Sequence, residues 1–303
     1  MAGTIRTVLG NIAPPAGLTL IHEHLQIDLS HNKGPQTVLG PEDIDDIIHD
    51  LAAARRDHGL SLITDLSVPG SGRDLQALRR ISGESGVGVV AAAGFYWDPV
   101  HPDAINGSVD QLRKTMTRDI ETGEAGVRCG VIKIGTDKGD TSEPTARIFK
   151  AAALASNDTG AAIITHTSTP DQAQWQIDQL ERAGANLSRV LISHLHNFGA
   201  VEPILPHARR GVRFGFDQIG FAKGPTHDDY ADLVVKTRDA GLLDQLLIST
   251  DVARRARLSR HGGTSYSTLF THFLPALRAR GISESAIVRL THDNPLALLT
   301  LAG

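Results

Sequence analysis

The chain has 303 residues, a formal net charge of −4 and one cysteine, Cys129. That charge gives no general attraction for nucleic acid, and a lone thiol excludes an intramolecular disulfide framework and fits a reducing cytosol. No apolar run approaches the ~20 residues of a membrane helix, and the opening MAGTIRTVLGNIAPPAG lacks a basic stretch followed by an apolar one, so a soluble protein of the cytoplasm is expected.

Residues 1–16 read as a lead-in segment. Apolar, β-rich runs then recur at 18–25, 61–67, 87–96, 130–135, 161–167, 189–196, 212–220 and 245–251. Helical patterns lie between them at 41–58, 72–82, 109–122, 143–158, 171–183, 201–210, 227–240 and 265–280, with a C-terminal helix from 283 to the chain end. The stretch 41–58 shows the logic: Pro41 near its start, acids early, Arg55 and Arg56 late, and Gly59 just after, which suits a capped helix and its dipole. Eight strands each followed by a helix is the count of a (β/α)8 TIM barrel in the α/β class. A doubly wound open sheet is the competitor, but the first strand is followed by no glycine-rich dinucleotide fingerprint. No linker divides the chain, so residues 1–303 are read as one barrel domain.

The C-terminal ends of barrel strands carry the chemistry, and here those ends are polar. LTLIHEHL (18–25) places His22 and His24 two apart, hence on one face of a strand, with Glu23 on the other. The fourth strand carries Lys133, the fifth ends in His166, the sixth in His194 and His196, and the eighth in Asp251. Singly, each reads as packing or as a helix cap; together they converge on one cavity as nitrogen and oxygen metal ligands. Lys133 is the odd member, because an ammonium has no lone pair to ligate a metal. Three readings stand: a carbamate formed with carbon dioxide, able to bridge two metal ions; a Schiff-base nucleophile, as in a lyase; or a buried ion pair with Asp65 or Asp217.

GLTLIHEHL (17–25), together with AAGFYWDP, IITHTS, LISHLHN and DNPLALL, resembles the phosphotriesterase-like family of the amidohydrolase superfamily over nearly the whole chain. The resemblance implies an amidohydrolase-like barrel with two divalent metal ions, zinc foremost, with manganese, cobalt and iron as further candidates. His22, His24 and Asp251 would hold the more buried ion, His166 and His194 the more exposed one, and carbamylated Lys133 with a hydroxide would bridge them. The hydroxide would attack a lactone, a carboxylic ester or a phosphoryl centre, with Asp251 accepting its proton. Hydrolysis of N-acyl amides on the same site is the near alternative. The family further implies a small-molecule substrate and a homodimer.

The chain departs from the family pattern at several places. His196 stands where many relatives have an acid, so it is expected either to hydrogen-bond behind the site or to take part in a proton relay. Gln218 stands where lactonases of the family tend to have Arg. Tyr96 at the end of the third strand is lactonase-like, with Trp97 beside it. The loop VARRARLSRHGG after the eighth strand brings Arg254, Arg255, Arg257 and Arg260 without an acid, and Lys223 lies on the loop before. Guanidinium forks suit phosphate or carboxylate. Some members of the family this chain resembles hydrolyse phosphorylated sugar lactones through similar loop cations and a Tyr, so the resemblance implies that Lys223, Arg254, Arg255, Tyr96 and Tyr266 contact an anionic or phosphorylated lactone.

Overall fold

Strands that are buried on both faces read as continuous apolar runs, and they pair in parallel. The computed structural model, which describes residues 3–96, 104, 106–136, 140–221 and 224–301, shows that pairing throughout. Eight strands lie in chain order: β1 Leu18–Glu23, β2 Leu60–Asp65, β3 Gly88–Gly94, β4 Val131–Gly135, β5 Ala162–His166, β6 Val190–Ile192, β7 Arg213–Phe216 and β8 Leu246–Ile248. Every neighbouring pair is parallel. Ile63, Val89, Ile132 and Ile163 are wholly buried, each worth about 1.5–3 kcal/mol of removed apolar surface.

The helices between strands bury one stripe against this sheet. Leu75–Ser85 is typical. Asp74 caps its start, accepting from the N–H groups of Gln76 and Ala77. Leu75, Leu78, Ile81, Ser82 and Ser85 face inward, and Gly86 ends it in the left-handed region. The stretch 41–58 resolves into a 3₁₀ turn, Pro41–Asp43, followed by the helix Ile44–His58.

The sheet closes into a barrel between β8 and β1, where backbone and side-chain hydrogen bonds together take the place of a regular ladder. The His22 N–H donates to Ser249 Oγ (3.0 Å), the Asp251 N–H to the His22 carbonyl (3.1 Å) and the His24 N–H to the Val252 carbonyl (3.2 Å). The fully buried Glu23 completes the seam. Its Oε1 accepts from Ser249 Oγ, the Thr250 N–H and Thr250 Oγ, each at 2.7 Å, and its Oε2 from the Val252 N–H at 2.8 Å.

Several elements differ from the sequence pattern, and for two strands the physical reason is the same. The ladders of β1 and β6 stop where a carboxylate takes over a backbone donor. β1 ends at Glu23, short of residue 25, because the Leu25 N–H turns to Asp65 Oδ2 (2.6 Å). β6 spans three residues of the run 189–196, because the His194 N–H turns to Asp217 Oδ1 (2.9 Å). The helix expected at 265–280 is broken into a 3₁₀ turn, a π turn at Leu269–Phe273 and a short α-helix, Leu274–Ala279. The C-terminal helix likewise carries a π turn at Arg289–Asp293. The helix expected at 201–210 is limited to Leu205–Arg209. The lead-in segment holds a hairpin, Ile5–Thr7 with Gly10–Ile12, that bonds to β3 through the Val8 N–H.

Cys129 is wholly buried just ahead of β4, and burial pushes its thiol up to about 12. The thiolate is the reactive form, so the folded protein at pH 8 should resist iodoacetamide. One carboxamidomethyl group per chain should appear after unfolding in guanidinium. Rapid alkylation of native protein would contradict this packing.

Candidate metal centre

Six polar side chains reach one cavity of about 170 Å3 at the C-terminal ends of the strands: His22, His24, Lys133, His166, His194 and Asp251. They form two groups. In the first, Asp251 Oδ1 lies 3.9 Å from His22 Nε2 and 3.4 Å from His24 Nε2. In the second, His194 Nε2 and His166 Nδ1 face each other at 3.0 Å. Ligand atoms around a tetrahedral zinc ion with bonds near 2.0–2.1 Å stand about 3.3 Å apart. Both groups have that spacing.

The imidazoles are aimed by groups behind them. His22 Nδ1 contacts Asp217 Oδ2 (2.8 Å) and Ser193 Oγ (3.1 Å), His24 Nδ1 contacts Ser67 Oγ (2.9 Å), and His194 Nδ1 contacts Asp217 Oδ1 (2.8 Å). Such contacts fix the tautomer and the ring orientation of a metal-binding histidine. Burial lowers His22 to about 4 and puts His166 well below its ordinary value, so both are neutral at pH 7 and keep a lone pair. Burial works against the Asp217 carboxylate, but His194 and His22 outweigh it and hold it well below the usual range. Asp217 also lies close enough to His22 and His194 to form a third possible ligand set. Its oxygens, however, are taken by the Nδ1 sides of both rings and by the His194 N–H, so it supports ligands and is not one itself.

Lys133 is the test of whether the residues suit a metal pair. It is buried on β4, and its Nζ has no hydrogen-bond partner among the described residues. Its Nζ lies 5.6 Å from the centroid of the Tyr96 ring. Burial lowers its amine to about 8, with Asp251 and Asp217 pulling the other way. An orphaned buried amine among metal ligands fits a carbamate. β3 passes close to β4 at Gly94 (φ +114°), where a Cβ would sit 2.1 Å from the Lys133 carbonyl oxygen, so only glycine fits beside that backbone. His194 and Asp251 both adopt left-handed φ, 65° and 49°. For side-chain-bearing residues this is an uncommon conformation that concentrates at functional sites.

The remaining candidates scatter. Tyr96 lines the cavity and meets His166 edge-on, with ring centroids 5.4 Å apart. Arg254 lines it too, its guanidinium carbon 5.0 Å from the Phe221 ring centroid. Arg255 is a correction. Its Nε donates to Asp43 Oδ1 (2.6 Å) and its Nη2 to Asp43 Oδ2 (2.9 Å) and to Glu42, so it clamps the loop onto the acidic turn before the helix Ile44–His58. Tyr266 is a second correction: fully buried, it donates its hydroxyl to the His24 carbonyl (3.2 Å) and braces the backbone there. Lys223 and Trp97 fall outside the described residues. His196 sits behind the cavity in a 3₁₀ turn, with Nε2 3.2 Å from Gln218 Oε1, and Gln218 Nε2 donates to Asp251 Oδ2 (2.9 Å). An amide between His196 and Asp251 has no titrating proton to pass on. Sequence reasoning gave Asp217 no role beyond an ion pair with Lys133; its signal was an acid at the end of an apolar strand, level with the other strand-end ligands.

The sequence pattern of the phosphotriesterase family matches residues 3–299. The chain belongs to the phosphotriesterase family. Members of this family are hydrolases. The phosphotriesterase homology protein of Escherichia coli is 32% identical over 291 residues, spanning 93% of this chain and 97% of that one. The crystal structure of the Escherichia coli protein, complexed with phosphate in its active site, gives a TM-score of 0.88 over 94% of this chain and 99% of that chain. The human N-acetyltaurine hydrolase is 28% identical over 346 residues, covering 99% of each chain.

Proposed function

We propose that this member of the family is a binuclear metal-dependent hydrolase of small acyl substrates that carry an anionic group, lactones and carboxylic esters first among them. The observation that carries the reading is Lys133, a buried amine without a hydrogen-bond partner among the described residues, in a cavity lined by five further candidate ligands. His22, His24 and Asp251 would hold one ion, His166 and His194 the other, and Lys133 as its carbamate would span both. Zinc suits this nitrogen and oxygen set, as do manganese, cobalt and iron. Two such ions supply Lewis-acid polarisation of the scissile carbonyl or phosphoryl oxygen and acidify water.

The chain's own residues do the rest. Asp251 is the one carboxylate among the candidate ligands, with Oδ1 beside His22 and His24 and Oδ2 accepting from Gln218, and it would take a proton and return it to the leaving group. Tyr96, Phe221 and Leu29 wall the cavity. Arg254 and Lys33 bring positive charge to that wall. Phosphate in the active site of the Escherichia coli relative supports an oxyanion-bearing substrate. A second reading, N-acyl amide hydrolysis, is favoured by the human relative, whose substrate by name is an acyl amide with a sulfonate.

The experiment is metal analysis followed by hydrolysis assays on matched lactones, esters, N-acyl amides and a phosphotriester, each with and without an anionic group. Two ions per chain and turnover lost on chelation support the proposal. Full turnover without metal would discard it and favour the Schiff-base reading of Lys133. The arginines give a sharper test. Arg254→Ala should raise KM for the anionic substrate about 10–100-fold over its neutral analogue, the worth of one charged hydrogen bond. Arg255→Ala should shift both substrates equally.

A further inference from the structure

We infer that Asp217 is a positioning residue that sets the tautomer of one imidazole in each half of the metal centre through two separate oxygens. The inference rests on the two-ion reading above. Oδ2 serves His22 Nδ1 at 2.8 Å. Oδ1 serves His194, both its ring Nδ1 at 2.8 Å and its backbone N–H at 2.9 Å. A carboxylate accepts at both oxygens. Each imidazole therefore carries its proton on Nδ1 and turns a bare Nε2 into the cavity. One side chain on β7's end thus prepares a ligand for each ion, and it does so without touching either ion.

The two oxygens carry unequal loads, and this makes the role testable at the level of atoms. In Asp217→Asn one oxygen becomes an NH2. The remaining oxygen keeps the position where two donors converge, beside His194. The NH2 then faces His22 Nδ1, donor against donor. His22 resolves the conflict by moving its proton to Nε2, so that its bare Nδ1 accepts from the amide. Its Nε2 no longer has a lone pair for the ion shared with His24 and Asp251. Ser193 Oγ, 3.1 Å from the same nitrogen, can turn its hydroxyl to donate to the bare Nδ1 as well.

The substitution is isosteric, and its effect should be confined to one ion. Competition with a chelator in the zinc-loaded protein should show one ion bound about 10–100-fold more weakly and the other unchanged, the range for groups that orient metal ligands. Nitrogen-15 spectra of the imidazoles should show the His22 Nδ1–H replaced by an Nε2–H, with the His194 Nδ1–H retained. Equal weakening of both ions would mean that the carboxylate acts only through its charge, and would overturn the inference. So would two ions bound as tightly as in the wild type. If the variant does not fold, the zinc-loaded wild type still decides: His22 and His194 must both show Nδ1–H, and an Nε2–H on either would overturn the inference. A wild type that binds no ion would sink the two-ion reading instead.

Discussion

Replacing Lys133 by methionine should lower hydrolysis about a thousandfold or more while leaving the metal-free protein at least as stable as the wild type. The two halves of this expectation have different physical origins. Among the described residues Nζ is buried without a hydrogen-bond partner, so the ammonium contributes little to the fold, and an apolar side chain of similar length fills its space without a desolvation penalty. On the two-ion reading the catalytic loss is large, because the amine would form the group that spans both ions. With burial lowering the amine to about 8, a useful fraction is neutral near pH 8. On the proposed reading that neutral amine would attack carbon dioxide, forming the N–C bond and releasing a proton. Activity of the metal-free protein, once reloaded with zinc, should therefore depend on bicarbonate. The measurements are turnover, metal content and thermal unfolding on the same preparation. A methionine variant with near wild-type turnover would show that Lys133 is only packing. Loss of turnover in a wild type that borohydride traps with substrate in the absence of metal would support the lyase chemistry instead.

Glu23→Ala should destabilise the protein by about 3–5 kcal/mol, with Glu23→Gln intermediate. The carboxylate accepts four hydrogen bonds across the seam between β1 and β8. Removing it leaves buried donors unpaired, each worth about 1–3 kcal/mol of lost solvation, partly recovered by relaxation. Glutamine keeps the oxygen that serves Ser249 and Thr250 but sets its amide against the Val252 N–H. Guanidinium unfolding of the three proteins, each in metal-free form, should rank wild type above Gln above Ala. A glutamine variant equal to the wild type would show that the Val252 contact is not needed to close the ring.

The parts of this molecule that were legible in the sequence are those set by local periodicity. A strand has period two, so His22 and His24 share a face wherever the chain takes them. The alternation of apolar runs with capped helices was enough to predict a barrel, which the eight-stranded parallel sheet shows. The end of each ladder was not legible, because it depends on a carboxylate from elsewhere, as Asp217 does for His194 across 23 residues. Nor was the fate of the loop arginines. Arg254 and Arg255 are neighbours of identical chemistry, yet one lines the cavity and the other is bound by Asp43, 212 residues earlier. Tyr266 failed for the same reason: its hydroxyl finds a backbone carbonyl 242 residues away.

The closed seam also orders events during synthesis. Glu23 and the Val252 N–H it bonds are 229 residues apart, and long-range pairing of this kind is the slow part of folding. His166 and His194 are only 28 apart, and a nascent chain emerges N-terminus first. The pocket for their ion is spelled out well before the ribosome reaches Asp251, whereas His22 and His24 wait for it throughout translation. On the two-ion reading, a stalled or clipped chain lacking its last strand would hold at most one ion, and a full complement would require that the ring has closed.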